Sequence, residues 1–175
     1  MRFPAWLKIQ RISLFLYLAS AVLLVIYALG FISDVYIFFA YGNRSLAGFY
    51  HEMQEINSGL LWKALLLIIF AVILFLLQLG RHPAGLYTLI IVALFLAAGL
   101  FLSAHSLAVL AEARRNYAAL DLSSLNRYIE RGAIKYRYST LVFDLGLAGY
   151  ILFMGSSLFM AASVIRNAFS VREMP

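Results

Sequence analysis

Four stretches of this chain, Ile12 to Ser33, about Gly59 to Gly80, about Ala84 to Leu107 and Leu145 to Ile165, are apolar, nearly free of charge and of bilayer-crossing length. A hydrocarbon core about 30 Å thick takes roughly 20 helical residues at 1.5 Å each. Lipid offers no water to backbone N–H and C=O groups, so only helices and closed barrels cross it. Barrel strands would show apolar residues alternating with polar ones, whereas these runs are uninterrupted. The sequence therefore predicts an all-α membrane protein, four transmembrane helices bundled into a single domain over residues 1–175. Composition agrees, because 64% of the residues are hydrophobic and 13% charged, against about 45–50% and about 25% in soluble domains.

The chain begins like a signal peptide, with Arg2, Lys8 and Arg11 before an apolar stretch and a small-residue Ala19-Ser20-Ala21. The apolar run continues well past Ala21 and is too long for a signal-peptide core, so it reads as a retained first crossing. Between the second and third crossings, Leu79 to Gly85 contains a glycine suited to a helix C-cap and a proline suited to a first helical turn, which predicts a tight antiparallel hairpin.

The two remaining connections have structure of their own. In Asp34 to Ser58, residues Leu46, Phe49, Tyr50, Met53 and Ile56 recur at helical spacing opposite His51, Glu52, Gln54 and Glu55. This predicts a short interfacial amphipathic helix over Ser45 to Asn57, whose apolar face meets lipid or the bundle and serves to dock on the membrane surface or on a partner. Its lead-in of Tyr36, Phe38, Phe39 and Tyr41 suits the headgroup belt. In Ala108 to Ser139, the basic side chains Arg114, Arg115, Arg127, Arg131, Lys135 and Arg137 outnumber Glu112, Asp121 and Glu130. There the third helix is expected to project to about Leu120, and Ser124 to cap a short helix ending at Gly132. Tyr136 and Tyr138 mark the return to the interface.

A net charge of +6 is spread over tails and loops, where it meets anionic lipid headgroups, and forms no dense patch for nucleic acid. With no cysteine there is no disulfide framework and no dithiol chemistry. Metal-ligand spacings, phosphate loops and nucleophile elbows are also missing from the sequence, so no cofactor or metal is expected. A basic N-terminal tail and an even number of crossings place both termini in the cytoplasm. The fourteen Lys and Arg residues otherwise divide almost evenly between the two sides.

Ionisable residues in membrane helices are functional hypotheses by default. Lys63, His105 and Asp144 each lie about 27 to 36 Å of helix from a charge at the opposite face, so alternating helix direction puts all three at one interface. They form the candidate polar cluster, with His105 near enough to meet Asp144 and with Glu112, Arg114 and Arg115 beside them for an anionic headgroup or partner. The plainer reading makes Lys63 and Asp144 separate interfacial anchors and His105 a packing residue. At the midplane only small or weakly polar groups remain, among them Ala97, Ala98, Gly99, Gly155, Ser156 and Ser157, which permit close helix approach. The expected function is a non-enzymatic accessory or scaffold subunit, in contact with membrane lipids and with another membrane protein or further copies of itself. A small oligomeric transporter or channel, and an embedded enzyme acting on lipid headgroups through His105 and Asp144, are the alternatives.

Overall fold

A computed structural model describes residues 5–30, 43–78, 86–122 and 139–172. These residues form four helices: α1 (Ala5–Leu29), α2 (Arg44–Gln78), α3 (Leu86–Ala118) and α4 (Leu141–Arg172). All four are long and apolar enough to span a bilayer, as in a multi-pass membrane protein, and no strand occurs among the described residues. The aromatic lead-in at 36–41, the turn at 79–85 and the expected helix from Ser124 to Gly132 lie outside the described residues.

The helices run alternately up and down, and each packs on its neighbours in a ring, α1 on α2, α2 on α3, α3 on α4 and α4 on α1. Inward positions are spaced three and four residues apart. In α2 they are Leu46, Tyr50, Met53, Asn57, Leu60, Ala64, Leu67, Ala71 and Leu74. In α3 they are Val92, Leu96, Gly99, Ser103, Ser106, Leu110, Ala113 and Tyr117, and α1 and α4 keep the same rhythm from Leu14 to Ala28 and from Phe143 to Val164. An average of 3.5 residues is the repeat of left-handed knobs-into-holes packing. At the centre the Tyr17 ring rests on Phe153, centroids 4.7 Å apart, beside Gly99 and Leu67. All four helices thus meet around one filled layer.

The expected amphipathic helix needs correction. Ser45 to Asn57 is helical, but it is the first part of the 35-residue α2, continuous with the second crossing. Its seam Leu46, Tyr50, Met53 and Asn57 is in phase with Leu60, Ala64 and Leu67, so nothing interrupts the helix at Gly59. The side chains of Leu46, Phe49, Tyr50 and Met53 are buried in the bundle and Ile56 packs against them. They do not face a membrane surface. At about 52 Å, α2 is much longer than a crossing needs, and α3 at about 50 Å rises alongside it.

Candidate functional site

The extended end of the bundle is built from the start of α2, the end of α3 and the start of α4. Asn43 begins α2 as its N-cap: the Leu46 N–H donates to Asn43 Oδ1 at 2.9 Å, one of the donors a helix start leaves without an internal partner. The same side chain donates through Nδ2 to the Asp121 carbonyl at 3.1 Å, tying the start of α2 to the chain leaving α3. There α3 closes with tightened turns, Ala119 N–H to Asn116 O and Leu120 N–H to Tyr117 O. Beneath this tie Phe49, Tyr117 and Phe143 form a triangle of rings, with centroids 5.2 to 6.1 Å apart, so α2, α3 and α4 share one aromatic layer.

Next to that layer Arg114 Nε donates to Asp144 Oδ1 at 2.6 Å, and Thr140 Oγ1 donates to Asp144 Oδ2 at 3.0 Å. Both carboxylate oxygens are therefore engaged. Thr140 precedes the first turn of α4, where a negative side chain is also favoured by the helix dipole. The pair is half-exposed, so it orients α3 against α4 more than it stabilises them.

Of the six residues expected to cluster, the structure joins only Arg114 and Asp144. His105 is exposed on the outer side of α3, and no hydrogen bond or ion pair links it to Asp144 among the described residues. The reason is rotational. His105 and Arg114 are nine residues apart, and at about 100° per residue they point to opposite sides of α3, so only one of them can face α4. Arg115 turns back to its own helix through Nε to the Ala111 carbonyl at 3.4 Å, while Glu112 is exposed.

Lys63 lies about 12 Å along α2 from Glu55, toward the middle of the bundle, and His105 about 10 Å along α3 from Glu112 in the same sense. Lys63 occupies a seven-residue row otherwise held by Phe49, Ile56, Phe70 and Leu77. Within that row Phe49 meets Tyr117 and Phe70 meets Phe95, so Lys63 stands on the flank of α2 that faces α3. Opposite it, Leu102 follows Phe95 by seven residues, and His105 comes one turn later, rotated further outward.

In the bundle interior Ser156, named above among the small midplane residues, is joined by polar groups that the sequence reading did not single out. Ser13 and Ser163 hydroxyls are 3.0 Å apart and Ser20 and Ser156 hydroxyls 3.1 Å apart, forming a two-rung ladder between α1 and α4. Asn57 is fully buried and donates through Nδ2 to the Ala28 carbonyl at 3.4 Å. The seven-residue spacing of Ser13 with Ser20, and of Ser156 with Ser163, was the available signal, as was asparagine immediately before a helical pattern at Asn43. No group of three or more His, Asp or Glu residues is placed to hold a metal among the described residues. The Asp144 carboxylate is held by Arg114 on one oxygen and by Thr140 on the other, which fixes its orientation between α3 and α4.

Comparison with family models, curated proteins and solved structures returns no match for this chain.

Proposed function

We propose that this protein is a non-enzymatic accessory or scaffold subunit of a membrane assembly, with both termini on the cytoplasmic side. The observation that carries the reading is the filled centre, where Tyr17, Leu67, Gly99 and Phe153 close the bundle from all four helices. Those contacts fill the layer among the described residues, which favours packing against a partner over conduction by a single copy. Its unused binding capacity lies outside, on apolar flanks and on the extended end, where Arg44, His51, Glu52, Glu55, Glu112 and Arg115 are arranged around a capped, aromatic-lined core. Presentation of such groups on helical backbone suits docking, since the backbone that carries them is already ordered before contact. The test is gentle detergent extraction from the native source. A different membrane protein co-purifying in fixed stoichiometry supports the subunit reading. A homo-oligomer supports a transporter or channel built from several copies, and a monomer carrying phospholipid supports action on headgroups.

A further inference from the structure

Lys63 stands half-buried on the flank of α2 that faces α3, and His105 is exposed on the outer side of α3, at a depth where the surrounding positions are apolar. Neither has a hydrogen bond or an ion pair among the described residues. Asp144, Glu55 and Glu112 do not reach them: the first is held by Arg114 and Thr140, and the other two lie about 10 to 12 Å away along their own helices. An ionisable side chain left without a partner in an apolar layer is costly, which is why such groups in membrane helices pair with something.

The setting favours one occupant. Of the four helix pairs, α2 and α3 touch least. Gly59 is exposed, with open space where a Cβ would be, and Ala98 is exposed on the matching flank of α3. Small residues beside a shallow groove admit the backbone of another helix. Depth separates the two anionic chemistries that Lys63 and His105 would recognise. Side chains lean toward the N-terminus of their own helix, so Lys63 leans toward the extended end while His105 leans the other way, deeper into the apolar layer. A headgroup phosphate stays at the surface and meets the lysine alone. A carboxylate fixed on a neighbouring membrane helix meets both.

We propose that the groove between α2 and α3 receives a transmembrane helix of a different protein bearing an Asp or Glu at the level of Lys63 and His105, with its carboxylate accepting from both. The proposal rests on the subunit reading above and names the surface and chemistry of that contact. Its test places a photo-crosslinking amino acid at Gly59 or Ala98 of the full chain, with Leu158 on the exposed side of α4 as control, expressed in the native source. The expected product from Gly59 and Ala98, and not from Leu158, is a membrane-spanning peptide with a carboxylate inside its apolar run. Lys63→Met, which keeps the side-chain length, should reduce that product at least about tenfold, as loss of one partner of a desolvated charge pair does. Changing the partner's carboxylate to Lys together with Lys63→Glu should restore it. Cross-links confined to phospholipid, to a second copy or to a helix without a carboxylate overturn the proposal, as does an undiminished yield with Lys63→Met. If a fixed-stoichiometry partner is found but attaches elsewhere, this contact fails while the subunit reading stands. If no partner co-purifies, both fail.

Discussion

The hydroxyls of Ser13 in α1 and Ser163 in α4 are 3.0 Å apart, and one seven-residue repeat along, Ser20 and Ser156 repeat the contact at 3.1 Å. Each serine hydroxyl is also within donating distance of a carbonyl of its own helix, Gln10 for Ser13, Leu16 and Tyr17 for Ser20, Phe153 for Ser156 and Met160 for Ser163, although each has a single proton to give. The protons are therefore shared between backbone and partner, which limits what each rung adds. In a double-mutant cycle of Ser20→Ala and Ser156→Ala the coupling should be about 0.6 kcal/mol, in the range of hydrogen bonds between membrane helices. Ser20→Leu should instead cost about 1 to 3 kcal/mol, because the close α1–α4 approach has no room for it. Reversible unfolding in mixed micelles measures both.

Gly146 and Gly155 stand on the same helix in opposite circumstances. A Cβ on Gly146 would overlap the Tyr27 ring and lie 2.7 Å from Leu110 Cδ2, whereas one on Gly155 would meet nothing within 4 Å. Gly146→Ala should destabilise the bundle by about 1 to 3 kcal/mol through overpacking. Gly155→Ala should be neutral or slightly stabilising, since alanine is the better helix former. Comparable losses in the two variants would contradict the packing of α4 described above.

The Tyr17 hydroxyl is buried and has no hydrogen-bond partner among the described residues, and it lies 3.0 Å from where a Cβ on Gly99 would be. Tyr17→Phe should therefore leave stability unchanged or raise it, because it removes a polar atom that lost its water without replacement. The same change should relieve much of the cost of Gly99→Ala. Non-additive thermal stabilities of the two single variants and the double variant would show this, and strict additivity would argue against the contact.

Phe49 and Met53 connect the extended end to the membrane part of the bundle. Both are buried in the continuous seam of α2. Met53→Ala should cost about 2 to 5 kcal/mol and Phe49→Ala about 3 to 5 kcal/mol, and the loss should appear in unfolding of the whole bundle. A helix lying separately on the membrane would detach and leave the crossings stable. Protease protection of the crossings, followed alongside the α2 start, distinguishes the two behaviours.

The cap at Asn43 offers a milder perturbation. Asn43→Ala removes the acceptor for the Leu46 N–H and the tie to Asp121, and should cost about 0.5 to 2 kcal/mol. Hydrogen exchange should rise first in the opening turn of α2, with the middle of the helix unaffected. Exchange that rises uniformly along α2 would mean that Asn43 does not act as a local cap.

The uncharged runs alone determined that the chain is helical and that four helices are of spanning length, because backbone polar groups in lipid leave no alternative short of a barrel. They also marked Asp144 and Arg114 as residues bordering the apolar part. What they did not carry was rotation. In water the inward side of a helix is its apolar side, but in these segments the outward residues are as apolar as the inward ones: Phe15, Leu23, Leu94 and Ile151 are exposed, while Ser13, Ser103, Ser106 and Asn57 are buried. Polarity then gives no phase, and size and close approach decide it. For that reason the tertiary structure was needed to show that Ser45 to Asn57 continues the seam of α2, that the serines face one another in rungs, and that Arg114 rather than His105 meets Asp144. Those two candidates point in opposite directions around the axis of α3, and only the packing of α3 on α4 selects between them.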